Sequence, residues 1–453
     1  MQDHDFTAID QQAFGSFHWR TIVTTGLGVF CDGYDLSSVG IVLPLVLASF
    51  GIHRLSGLES AMLAASALVG AAFGAALFGL LGQKGRKRFY GLDVLVMGIA
   101  AIAQAFAPDV AWLIAIRFIL GVGVGADYVL SPTIMAEHAN AADRGRSLGL
   151  GFGTMWPLGA LAAGLVNLVL QGLGVPPGLQ WRIVLAAGAI PAFAVLYFRR
   201  AMPETARYLA RLGHDGAKSA QVMLQITGKT QSAPAADTRP FGTVFAQHAR
   251  MIFSAALLWM VYDMVVYATI LFGPSLIARS IGLGPVEFQL IISIVFVIPA
   301  SILLSYLVID RIGRKPLQIW GYVAAAIMLA IFALLKPSFT SLPLLALIVF
   351  GLFNVAQTGP GLVSGAGILG VELSPTRIRT VAQSITVAAG RIGAALSVFV
   401  FPLLFKAIGE AGAVLVLCGL AVIGAILTAI LVPETRGASL EAITSDQPSP
   451  VTV

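Results

Sequence analysis

Trp259, Asp263 and Tyr267 stand four residues apart in WMVYDMVVY, inside a run that is otherwise apolar. On a helix of 3.6 residues per turn, positions i, i+4 and i+8 share one face, drifting by about 40° per step. An indole, a carboxyl and a phenol then look into the same space. Two aromatics alone would make a helix-packing stripe, but a carboxyl between them needs polar partners in a dry contact. Asp263 is therefore expected to bind a substrate or a proton. A carboxyl withdrawn from water takes up a proton more readily. In that form it donates a hydrogen bond to an anion that its ionised form would repel. Proton and anion would then bind together and leave together, which is the logic of symport.

Other charged residues fall in or near apolar runs: Asp32, Asp35, Asp93, Asp127, Arg117 and Arg391. A charge at the centre of a bilayer costs on the order of 2.5–3.5 kcal/mol, so each needs a polar cavity or a partner. Arg391 offers bidentate hydrogen bonds to a phosphate or carboxylate; the alternative is a pair with one of the aspartates. Asp32 and Asp35 are neighbours on one helical face, with Gly33 between them allowing close approach. Like charges so near favour one shared proton, which suits a proton relay. For any of these residues, ion pairing that merely holds helices together is the competing reading. No metal-spaced His pair, G-x-S-x-G or P-loop occurs, and the histidines at 4, 18, 53, 138, 214 and 248 are scattered. Enzyme chemistry, a metal and a cofactor are thus not expected.

The elements that must position these groups follow from composition. Of the 453 residues, 57% are hydrophobic and 11% charged, with a mean hydropathy of +0.88. Apolar runs long enough to span a bilayer predict helices near 20–48, 58–81, 89–107, 110–136, 147–171, 182–199, 250–278, 287–309, 316–335, 341–370, 379–405 and 410–432. The 49 glycines fit close helix approach. If both termini are cytoplasmic, 21 of the 28 Lys and Arg lie on that side. Five lie opposite (Arg54, Arg182, Arg279, Lys336 and Lys406) and two within spans. That asymmetry is the positive-inside pattern. The net charge of +6 is then topology, and no nucleic-acid partner is expected. Cys31 and Cys418 fall within spans and imply no disulfide framework. The polar start, with Asp3, Asp5 and Asp10, is no secretory leader.

The chain also repeats itself. GRK at 85–87 returns at 313–315, PETARYL at 203–209 returns as PETRGASL at 433–440, and GYD at 33–35 aligns with VYD at 261–263. Nearly one offset implies two six-helix halves, 1–199 and 250–453, joined by a polar cytoplasmic linker at 200–249. Parallel repeats with a site between them describe a secondary transporter.

These motifs resemble those of the major facilitator superfamily over nearly the whole chain. DRIGRK at 310–315 resembles its D-R-x-G-R-K gate loop; the first-half copy, GQKGRK, departs at Gly82 and Gln83, which would leave that gate weaker. RFILGVGVG at 117–125 is similar to its helix 4 motif, and the PET motifs look like those of sugar porters. One branch, the phosphate:proton symporters, is closer still. Its helix 4 signature resembles GVGVGADYVLSPTIMAEHANAADRGR at 121–146, and its helix 1, 7 and 11 motifs resemble CDGYDL, WMVYDMVVY and AAGRIGA. RFYGLDV is similar to its helix 3 segment. Trp156 stands where that branch has Gln, Gly361 where it has Asn, Val129 where it has Pro and Arg391 where it has Lys.

The resemblance implies an all-α membrane protein of twelve helices in two pseudo-symmetric bundles, multi-pass in the plasma (inner) membrane and monomeric. The expected activity is proton-coupled import of inorganic phosphate or a similar small oxyanion. A sugar or organic-acid symporter is the alternative, and a nutrient sensor on a transporter scaffold a third. Tyr128, Trp259, Asp263, Tyr267 and Arg391 would bind substrate. Asp32, Asp35, Asp93, Asp127 and Asp263 would carry protons. Arg86, Glu137, Asp310, Arg311 and Arg314 would gate the inner face, with Lys315, Glu204, Glu372 and Glu434 as further partners.

Overall fold

The structure, a computed structural model, describes residues 6–52, 57–277, 283–339 and 341–445. Arg54, Arg279, His4, His53, Asp3 and Asp5 lie outside the described residues. Among those described there are helices and no strands. The spans are α1 Ser16–Ser49, α2 Leu58–Lys84, α3 Leu92–Gln104, α4 Val110–His138, α5 Arg144–Gly172 and α6 Pro177–Arg200. The second half has α7 Phe241–Ile277, α8 Val286–Ile312, α9 Arg314–Leu335 and α10 Pro343–Glu372. A last continuous run, Arg379–Leu431, is divided at Gly409 into α11 (379–408) and α12 (410–431).

Ten of these runs are individually long and apolar enough to cross a membrane. Two local breaks account for the difference from twelve. Gly409 has φ of 73°, a left-handed turn that glycine adopts without strain, and it folds two spans into one run. Gly91, at φ 126°, separates Arg86–Phe89 from the 13-residue α3. The twelve-helix, two-bundle architecture therefore stands.

Glycines set how closely the helices pack. A Cβ on Gly70 or Gly74 of α2 would strike the carbonyls of Phe118 and Val122 in α4, and one on Gly121 or Gly125 would strike α2 in return. Small residues are what allow such backbone contact in a bilayer, where burying apolar surface gives no drive. Across the halves, Gly79 of α2 abuts Ser384 of α11. Outward faces are apolar: Phe106, Ile190 and Leu334 are each more than 70% exposed, as suits a lipid-facing surface.

Three helices widen locally, at Gly149–Thr154 in α5, at Ile292–Val297 and Leu304–Val308 in α8, and at Gly361–Gly365 in α10. Pro157, Pro299 and Pro360 lie beside the first, second and last of these turns, and a proline withholds the N–H that a regular turn needs. The segment joining the halves carries short helices at Ala206–Arg211 and Gly216–Thr227, and α7 already begins at Phe241. Phe6 and Ile9, near the start of the chain, pack on Ala206, Ala210 and Met223 of that segment.

Candidate functional site

α4, α5, α7, α8, α10 and α11 enclose a cavity of about 140 Å³ between the halves. Tyr128, Trp259, Asp263, Tyr267 and Arg391 all line it, as do Trp156, Tyr262, Gln289, Asn354 and Gln357. The wide turns at Gly149–Thr154, Ile292–Val297 and Gly361–Gly365 each contribute lining residues, Phe152, Ile292 and Leu362 among them.

Arg391 is the cation of this cavity and is 3% exposed. Its Nη1 donates to the Tyr267 hydroxyl at 2.7 Å. Asp263 Oδ2 lies 3.6 Å from Nη1, and Asp32 Oδ2 lies 3.7 Å from Nη2. Both distances exceed a hydrogen bond; the charges attract without closing on one another. The guanidinium also stands 4.3 Å from the centroid of the Tyr128 ring, within cation–π range. Asp32 additionally accepts from the Trp156 indole at 3.1 Å. Trp156 therefore supplies a donor of its own at a position where resemblance suggests Gln. Asp263 Oδ2 and Arg391 Nε and Nη2 have no hydrogen-bond partner. The site thus sets a guanidinium edge with no hydrogen bond beside two carboxyls.

The remaining aspartates lie elsewhere. Asp35 is buried with both carboxyl oxygens unpartnered, its field shared with Arg117 and Asp32. Arg117 itself donates to the Leu63 carbonyl at 3.3 Å and to Gln104 at 3.5 Å. Asp93 and Asp127 do not line the cavity. Both pair with Arg199, Asp93 at 2.5 Å, and Ser131 donates to Asp127 at 2.6 Å. Tyr90 lies against the same guanidinium, 3.9 Å from its ring centroid. This knot ties α3, α4 and α6 together within the first half, in the manner of a structural ion pair.

The linker end of the bundle carries a network with two-fold repetition. Glu137 receives Arg86 of its own half at 3.2 Å, Arg379 of the other half at 2.9 Å, and the Thr205 hydroxyl. Glu372 receives Arg314 of its own half at 3.1 Å, Arg144 of the other half at 2.7 Å, and the Thr435 hydroxyl at 2.5 Å. Glu204 accepts from the Lys87 N–H at 3.0 Å, and Glu434 from the Lys315 N–H at 3.1 Å. Asp310 accepts from the N–H groups of Gly145 and Arg146, capping the start of α5 across the halves where a helix N-terminus favours negative charge. In the first half Gln83 takes over the cross-half contact, donating to Thr380 at 2.8 Å. Arg311 stands apart: it is exposed and contributes its carbonyl, which accepts from Arg436.

Arg144, Arg379, Thr205 and Thr435 escape a reading that treats Lys and Arg as topology signals. A signal was present: Glu137 and Arg144 are spaced as Glu372 and Arg379 are, seven residues apart in each half.

Comparison with known proteins agrees with this architecture. The family described as Sugar (and other) transporter matches residues 21–446. The chain belongs to this family of major facilitator superfamily transporters. The transporter is 32% identical to the probable inorganic phosphate transporter 1-10 of Oryza sativa subsp. japonica, over 97% of this chain and 92% of that one. It is 30% identical to the probable inorganic phosphate transporter 1-6 of Arabidopsis thaliana, over 97% and 96%. Its fold superposes on the proton:xylose symporter XylE bound to 6-bromo-6-deoxy-D-glucose with a TM-score of 0.78, at 23% identity and covering 94% of this chain and 98% of that one. The transporter is a multi-pass membrane protein for a small molecule, not an enzyme.

Proposed function

We propose that this transporter is a proton-coupled symporter that imports a small oxyanion by alternating access. The observation that carries the reading is Arg391, whose Nε and Nη2 make no hydrogen bond, set 3.6 Å from Asp263 and 3.7 Å from Asp32 at the cavity between the halves. Arg391 binds the anion. Asp263 takes up the proton that makes the anion welcome, then releases both when the halves rock; Asp32 and Asp35 relay protons. Inorganic phosphate is supported by the names of the relatives. A small organic acid presents the same oxygen chemistry, and the aromatic and aliphatic side chains in the walls favour it. Both termini and the Arg–Glu network face the cytoplasm across the plasma membrane, so the network closes the inner gate while substrate loads from outside.

One proton moved with a monoanion carries no net charge, so only the pH difference acts, about 1.4 kcal/mol per unit, or about tenfold. Each further proton adds about 2.3 kcal/mol at 100 mV and about 1.4 more per pH unit. Uptake of labelled phosphate and carboxylates into proteoliposomes tests the reading: it should rise with an inward proton gradient and collapse with a protonophore. Uptake indifferent to both excludes proton coupling.

A further inference from the structure

Gln357 of α10 lines the same cavity as Arg391, is 3% exposed, and has no hydrogen-bond partner for either amide atom among the described residues. A buried amide left wholly unpaired is destabilising and calls for a reason. Arg391 has the complementary vacancy. Its Nη1 is held by Tyr267, while Nε and Nη2, which share one edge of the guanidinium, make no hydrogen bond, Asp32 Oδ2 standing 3.7 Å from Nη2. That edge takes a carboxylate by two parallel bonds.

Size and charge narrow the ligand. A cavity of roughly 150 Å³ takes up benzene, and this one is about 140 Å³; a tetrahedral oxyanion would fill only part of it. Trp156, Tyr262 and Phe350 line it with rings that suit an apolar body. Two carboxyls beside one guanidinium oppose a doubly charged ligand more than a singly charged one. An amide donates and accepts, and so does a hydroxyl.

We propose that Gln357 is a second substrate-binding group, and that with Arg391 it selects a ring-sized monocarboxylic acid that also bears a hydroxyl. The proposal rests on the anion-symport reading and names its substrate class.

The test compares cyclohexanecarboxylate, 4-hydroxycyclohexanecarboxylate and inorganic phosphate on the full-length protein, by binding and by proton-driven uptake. The hydroxylated acid should bind about tenfold or more tighter than its parent, as two hydrogen bonds to an otherwise unpaired amide imply. Gln357→Leu should erase that preference while leaving the parent acid bound within about twofold, which also shows that the variant folds. Gln357→Met serves if the leucine variant is unstable. Equal binding of the two acids by the wild type, or a preference that survives both variants, overturns the proposal. Proton-driven phosphate uptake unaffected by Gln357→Leu overturns it too and leaves the symport reading standing. A Gln357-dependent hydroxyl preference with no response to a pH gradient does the reverse.

Discussion

Arg144 and Glu372 meet at 2.7 Å across the two halves, both fully buried. Arg379 and Glu137 repeat the contact in the opposite sense at 2.9 Å. Each glutamate also holds an arginine from its own half. The cross-half arginines can therefore let go without stranding a carboxylate, which is what a gate requires and a permanent staple does not.

Removing one cross-half arginine should accordingly loosen the gate more than the fold. In Arg144→Gln, Glu372 keeps Arg314, so the stability loss should fall below the about 3–5 kcal/mol of an uncompensated buried charge. Reaction of a cysteine introduced as Leu362→Cys in the cavity wall, with Cys31 and Cys418 replaced, should quicken severalfold when a charged thiol reagent is supplied from the linker side. An unchanged rate would show that the network does not close this end.

The Arg199 knot should behave as structure. Arg199→Leu leaves Asp93 and Asp127 facing each other and should cost about 3–5 kcal/mol, read as a lowered Tm. In Asp127→Asn, Arg199 retains Asp93, and the pH profile of uptake per folded molecule should match the wild type. A shifted profile would return Asp127 to the proton path.

What the sequence disclosed follows from how local each signal was. The i, i+4, i+8 spacing of Trp259, Asp263 and Tyr267 is a property of one helix, and all three line the cavity. Asp93 and Asp127 looked costly in lipid, but their partner Arg199 sits 106 and 72 residues away, at the end of a span where an arginine reads as a topology signal. Gln357 was silent because an uncharged amide in an apolar run costs little by composition; only burial without a partner singles it out. The hydropathy pattern already separates 379–405 from 410–432, where Gly409 breaks the run, but it carries a helix from 89 straight across Gly91, whose single backbone torsion it does not encode.

Outside the spans, Arg207 clamps both chain ends: it reaches Asp10 at 2.7 Å and Glu441 at 2.9 Å. For Glu441, burial pushes the carboxyl up but Arg207 outweighs it, leaving it below the ordinary 4.5. Its contribution to docking is present above 4.5 and is lost as pH falls through the lowered value. For Asp10, burial prevails over Arg207 and raises it above 3.8, so its contribution is present below 3.8 and is lost as pH rises through the raised value. Acidification from about pH 5 to below the lowered Glu441 value should therefore release the Leu440–Thr444 helix and not the Thr7–Asp10 turn. Hydrogen exchange of the two segments, corrected for intrinsic rates, reads this directly; Glu441→Gln should remove the acid-induced change.

Asp263 admits the sharpest test, because its two possible roles predict opposite outcomes. A structural ion pair closes to hydrogen-bond distance and saturates its oxygens, whereas Asp263 Oδ2 stays 3.6 Å from Arg391 and has no hydrogen-bond partner. Arg391 also keeps Asp32 at 3.7 Å when Asp263 loses its charge. Asp263→Asn should thus fold with a Tm close to wild type, retain a hydrogen-bond donor for the anion, and bind substrate with weaker pH dependence. It should exchange substrate across the membrane yet fail to concentrate it, since the titrating group is gone. Were the pair structural instead, Asp263→Asn would lose several kcal/mol of stability, and adding Arg391→Gln would recover both folding and concentrative uptake. Thermal stability, binding against pH and concentrative uptake, measured on both single variants and the double, distinguish the two. Concentrative transport restored in the double variant is the result that would defeat a proton-carrying role for Asp263.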